Sequence, residues 1–214
     1  MNKKILLIGG GGHCKSILDS LLNLNEYDDI GIIDTKENVG KAVLGIPIMG
    51  YDKDLPSLYK DGYRHAFVAV GSIGNPSVRI NIFNTLCEMG FAIPNIVDTS
   101  AKVSKYAQID KGVFIGKQAI VNAGAVIRQG AIINSGAIVE HDCEIGEFVH
   151  IAPGTVLCGG VKIGEHSHIG SNSIVKQGIL IGSNCIIGMG SVVTKEIRDS
   201  VMAYGNPCRE VKKL

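Results

Sequence analysis

Between Ile138 and Gly154 the chain reads IVEHDCEIGEFVHIAPG, which places His141 between Glu140 and Asp142 and sets His150 nine residues further on. Histidine is the side chain whose ordinary pKa lies near neutrality, and an adjacent carboxylate orients the ring and raises its basicity. Such a pair suits removal of a proton from an attacking amine or hydroxyl, with Asp142 or Glu140 as the orienting acid. The alternative for a histidine on a regular surface is simple solvation, and for His150 with His168, eighteen residues later, a stacked polar ladder. A second cluster lies near the N-terminus, where Gly9, Gly12 and His13 follow the apolar run ILLI. A glycine turn at a helix start points free backbone N–H groups at phosphate or other polar ligands. It also serves as a packing turn without ligand. The six cysteines form no C-x-x-C pair, so neither a zinc site nor a disulfide framework is expected and no metal is assigned.

The elements that hold the first cluster announce themselves by period. Stepping by six from Val97 to Val193 meets seventeen aliphatic residues in succession, His141 lying two places after Val139 and His150 one before Ile151. The position two before each is mostly small (Ala119, Ala125, Ala131, Ser167, Ser173), and the position after it is often glycine (Gly146, Gly164, Gly170, Gly188). This pattern predicts a parallel β-helix in which three short strands make one coil and the aliphatic residues stack inside. One coil is then eighteen residues. Gly159 falls above His141 and Ala123 below it, and both lack bulk, which predicts a groove beside the imidazole.

The first third has another grammar. KKILLI, a glycine cluster and CKSILDSLLNL, with Ile17, Leu18, Leu21 and Leu22 on one face, begin a βα unit; DIGIID ends a second strand at Asp34, and HAFVAV a third before Gly71. A helix-like PSVRINIFNTLCEMG follows, carrying Arg79. The expected organisation is a small Rossmann-like α/β domain over 1–95, a β-helix over 96–195 and a tail over 196–214. The fingerprint G-x-G-x-x-G fails, since its last position falls on Cys14 or Lys15, which disfavours NAD. A net charge of +1 with dispersed lysines and arginines argues against nucleic acid, and the N-terminal apolar run is too short for a signal segment, so a cytoplasmic protein without membrane contact is expected.

The six-residue period resembles the hexapeptide acyltransferases, which form left-handed β-helices and work as trimers; the left hand is taken from that resemblance. The order of parts is similar to the sialic acid O-acetyltransferase (NeuD) type of sugar acyltransferases, which includes bacterial UDP-4-amino-sugar N-acetyltransferases. Carrying the likeness are Gly9-x-x-Gly12-His13, Asp34 ending strand two, Val70-Gly71 with Arg79 after it, Glu-His-Asp-Cys at 140–143, and the ending YGNPCRE. Two departures stand out: SIGNP follows Gly71, and Asp142 stands where the N-acetyltransferase type often has the longer Glu. The resemblance implies acetyl-CoA as donor, a homotrimer, and a UDP-amino-sugar acceptor held through Gly9, Gly12, His13, Asp34, Gly71 and Arg79. It implies His141 as catalytic base with Asp142 beside it, and His150, Gly159 and Gly188 at the donor. Transfer to a sugar hydroxyl, and a non-catalytic sugar-nucleotide-binding protein, are the alternatives.

Overall fold

The computed structural model describes residues 3–214, which divide into two compact units: 3–71 with 77–96, and 72–76 with 97–214. In the first unit, β1 (Lys4–Ile8), β2 (Asp29–Ile33), β3 (Ala42–Val43), β4 (Ile46–Gly50) and β5 (Tyr63–Val68) form one sheet in the order β3-β4-β2-β1-β5. All pairings are parallel except the hairpin β3–β4, which the alternation of the sequence did not announce. The helices are α1 (Gly12–Leu24), α2 (Leu55–Lys60) and α3 (Ser77–Glu88). After Lys4, β1 is apolar, with Ile5, Leu6 and Leu7 fully buried, as expected of a central parallel strand covered on both faces. α1 packs with Ile17, Leu18 and Leu21, but Leu22, expected on the same face, is 45% exposed. β1 leads to β2 on one side and lies against β5 on the other, so the C-terminal end of β1 is a topological switch point, where open α/β sheets hold their ligands.

The second unit is a left-handed parallel β-helix built from two-residue strands, beginning at β7 (Lys102–Val103) and ending at β22 (Val192–Val193). Registers step by eighteen: Ile120 pairs with Ile138, Ile138 with Val156, and Val156 with Ile174. Every member of the aliphatic column from Ile115 to Val193 is buried, with the residue two places earlier, most often Ala, Cys, Ser or Thr, packed beside it. Where that residue is a hydroxyl, a backbone carbonyl takes its proton, as Thr155 Oγ1 donates to Gly170 O and Ser167 Oγ to Gly182 O, so these buried hydroxyls are satisfied. The glycine after the column has a steric reason: a methyl at Gly146 would lie 2.6 Å from Glu165 N on the next coil. Corners also repeat by six, with left-handed φ at fourteen successive positions from Gly112 to Gly190. Beyond the last coil, β23 (Val201–Gly205) pairs in parallel with Ile186–Ile187 and turns through a cis Asn206–Pro207 bond into antiparallel β24 (Cys208–Lys213). No helix among the described residues is long and apolar enough to cross a membrane.

Candidate active site

His141 and Asp142 occupy the corner between β13 (Ile138–Val139) and β14 (Glu144–Ile145). Asp142 has φ +59°, a left-handed conformation that aspartate tolerates better than most residues. Its Oδ2 lies 2.8 Å from His141 Nδ1, while both side chains stay open to solvent, 59% and 72% exposed. The shorter acid therefore reaches the ring. The hydrogen bond to Asp142 raises the His141 pKa above its ordinary value, and the charges of Asp142 and Glu140 add to it. Glu140 does not touch the ring; its Oε2 accepts from the His141 backbone N–H at 3.2 Å. The groove expected beside the imidazole is instead filled by the imidazole, which lies on the bare backbone of Gly159: a methyl there would sit 2.5 Å from Nε2. Gly159, expected at the donor, thus groups with the base.

His150 sits on β15 (His150–Ile151), on a flat face of the coil, and is only 9% exposed. Its register partner His168 is 8% exposed, with the two rings edge to face at 4.9 Å. His150 Nδ1 lies 2.9 Å from Ser72 O, and Nε2 lies 3.1 Å from Asn134 Nδ2. A carbonyl only accepts, so Nδ1 carries the hydrogen. Asn134 Oδ1 already accepts from Ser135 N–H, which turns its amide nitrogen toward Nε2. These contacts fix a neutral imidazole with its proton on Nδ1. His168 Nδ1 is buried with no hydrogen-bond partner among the described residues, and burial lowers its pKa. Both histidines line a cavity of about 280 Å³ together with Ile73, Ser171, Gly188 and Met189. Ser72 and Ile73 were invisible to sequence reasoning, because nothing in a linear pattern links Ser72 to a residue seventy-eight places on, and the SIGNP departure was the one signal; Asn134, sixteen residues before His150, was missed as well.

In the α/β unit the remaining predicted residues gather at the C-terminal ends of β1, β2 and β5. Gly9, at φ +109°, lets the chain press against Val70, which a methyl would meet at 2.6 Å. Asp34 Oδ2 accepts from Gly10 N–H at 3.1 Å and from Asn38 Nδ2 at 3.2 Å. Gly11 and Gly12 open α1 with nothing within 4 Å of where their side chains would point. His13 follows, its Cβ 3.2 Å from a methyl placed on Gly71. Burial, helped by the charge of Arg79, lowers the His13 pKa to about 4. Arg79, on α3, is itself 4% exposed, and burial lowers its pKa to about 10. All six predicted residues thus belong to one region, although Gly9 serves the packing of its own turn. No group of three or more histidine, cysteine or acidic side chains that could hold a metal occurs among the described residues.

A hexapeptide β-helix with a carboxylate-paired histidine at an open corner, preceded by a small parallel α/β unit, defines a hexapeptide-repeat acyltransferase. Residues 4–86 match the PglD N-terminal domain, 106–141 and 160–195 match the hexapeptide repeat of succinyl-transferase, and 124–159 match the bacterial transferase hexapeptide. Among solved structures, the chain is similar to a perosamine N-acetyltransferase from Caulobacter crescentus in complex with CoA and GDP-perosamine. They share 34% identity over 100% of this chain and 99% of that one, with TM-score 0.92. The acetyltransferase domain of PglB from Neisseria gonorrhoeae, in complex with acetyl coenzyme A, is 34% identical over 99% and 100%, with TM-score 0.91. The chain belongs to this family of sugar acetyltransferases, in which a PglD N-terminal domain precedes hexapeptide repeats.

Proposed function

We propose that the chain transfers an acetyl group from acetyl-CoA to the amino group of a nucleotide-activated amino-sugar, with His141 as base. The observation that carries this reading is the 2.8 Å contact between Asp142 and His141 Nδ1, which leaves Nε2 as the nitrogen that takes a proton. The acceptor nitrogen attacks the thioester carbonyl while Nε2 takes its proton, and Asp142 stabilises the imidazolium. Collapse of the tetrahedral intermediate forms the amide and breaks the carbon–sulfur bond, and the departing thiolate takes the proton from the His141 imidazolium, which releases free CoA and restores the base. The complexes of the relatives with CoA, acetyl coenzyme A and GDP-perosamine support the two substrate classes.

Each unit then has its role. The open backbone of Gly11 and Gly12 at the start of α1, with His13, Asp34, Gly71 and Arg79, suits the phosphates and sugar of the nucleotide. The cavity beside His150 and Gly188 suits the thioester arm, which His150 meets as a packed wall, both its nitrogens being engaged. A homotrimer is supported by the outward column Ile120, Ile138, Val156, Ile174 and Val192 on the face beside the His141 corner, where Ile174 is 46% exposed. At the finer level we read the acceptor as a UDP-linked 4-amino-sugar. Incubation with acetyl-CoA and a panel of UDP- and GDP-linked amino-sugars and sialic acids, followed by product mass spectrometry, tests both levels. A single added acetyl group on an amino-sugar nucleotide is expected, on the UDP-linked ones by the finer reading. Acetylation of sialic acid alone overturns the proposal.

A further inference from the structure

Among the fourteen left-handed corner positions, six carry a side chain, and three of these lie over a glycine one coil earlier. Asp142 Oδ1 covers Gly124, the Phe148 ring covers Gly130, and Asn172 Oδ1 covers Gly154; a methyl at any of the three glycines would overlap the covering group. At Gly136, Gly160, Gly178 and Gly190, equally left-handed, an added methyl meets nothing within 4 Å. A corner side chain thus folds back toward the coil before it, and a glycine there gives it somewhere to rest.

This distinction bears on the reaction. The Asp142 carboxylate is 72% exposed, and an ion pair in water holds its geometry weakly. Its orientation here is supplied by shape: with Oδ1 down on Gly124, Oδ2 is the oxygen left facing His141 Nδ1. The imidazole in turn rests on Gly159, one coil later. We propose that Gly124 is a positioning residue for acetyl transfer, a seat for the Asp142 carboxylate that holds it against His141. The proposal rests on the reading of His141 as base.

The test compares Gly124→Ala with Gly136→Ala in the full chain. Both place alanine at left-handed φ, a backbone state this helix already accepts with side chains at Gln118, Asn172 and Asn184, but only the first displaces a carboxylate. The His141 ring is titrated by NMR on histidine-labelled protein, its signal assigned by loss in His141→Ala, alongside kcat and the acetyl-CoA KM. In Gly124→Ala the His141 pKa should fall back toward the ordinary value of about 6.5, with kcat reduced about tenfold and the donor KM unchanged. Gly136→Ala should match wild type within about twofold in all three, by the usual scale of effects without a lost contact. An unshifted His141 pKa in Gly124→Ala, or an equal fall in both variants, overturns the proposal. A shifted pKa with unchanged kcat upholds the seat and refutes His141 as base.

Discussion

His141 and His150 lie half a coil apart on the same turn of one helix, and their surroundings make them different chemical objects. At the corner, His141 is open to solvent, touches a carboxylate through Nδ1 and has its pKa raised. On the flat face, His150 is buried, has Nδ1 and Nε2 both engaged, and packs against His168, whose pKa is lowered. A corner in this fold leaves the side chain free of the sheet, because its backbone turns away from the ladder. A flat face lies beside strands that neighbouring segments cover, here 72–76 through Ser72 and Ile73. Proton transfer needs the first environment, and a fixed, uncharged wall needs the second.

The largest effect that would break this contrast is at the corner. His141→Ala should lower kcat by about 10²- to 10⁴-fold, the usual contribution of a positioned base, with little change in acetyl-CoA KM; near-normal turnover would move the base elsewhere. Asp142→Asn keeps the shape but removes the charge, and kcat at neutral pH should fall about tenfold, the low end for a charge-assisted hydrogen bond because the pair is exposed. The sign of the pH effect is fixed: the base works deprotonated, and Asp142 raises its pKa, so the variant's acid limb of kcat/KM should move to lower pH. An acid limb that moves upward, or stays, would show that Asp142 does not act through the ring. On the flat face, His150→Ala should instead raise the donor KM by about tenfold with a smaller change in kcat, as expected when a binding wall is lost. A kcat loss matching that of His141→Ala would erase the contrast.

Much of this arrangement was legible in the sequence, and the parts that were not share a cause. Interior aliphatic residues must recur every six, so coil length, register and the stacking of Gly159 over His141 and of His168 over His150 followed from counting. The likeness of Gly9-x-x-Gly12-His13 and Glu-His-Asp-Cys to sugar acyltransferases led to the family. Counting does not say which way a side chain leans, so the imidazole filling its own groove and the carboxylate resting on Gly124 went unseen. It is equally blind to the irregular segment 72–76, whose Ser72 carbonyl decides which nitrogen of His150 holds the proton.

The smallest expected effect concerns protonation of the flat face. His168 is buried with a lowered pKa, so the unfolded chain, with an ordinary histidine near 6.5, binds the proton more readily than the folded one. Its contribution to stability is therefore complete above pH 6.5 and is lost as pH falls from there through the folded value. His141 has the opposite sign, its raised pKa favouring the folded state below 6.5 and losing that contribution as pH rises, but its exposure keeps the term small. Melting curves of wild type and His168→Leu between pH 8 and 5 should then diverge on the acid side only, the variant losing less Tm, by a few degrees. His13, lowered to about 4 chiefly by burial, remains in both proteins and adds the same acid-side loss to each below 6.5. If His168→Leu melts with the same acid slope as wild type, charging the flat face costs nothing, and burial is not what separates it from the corner.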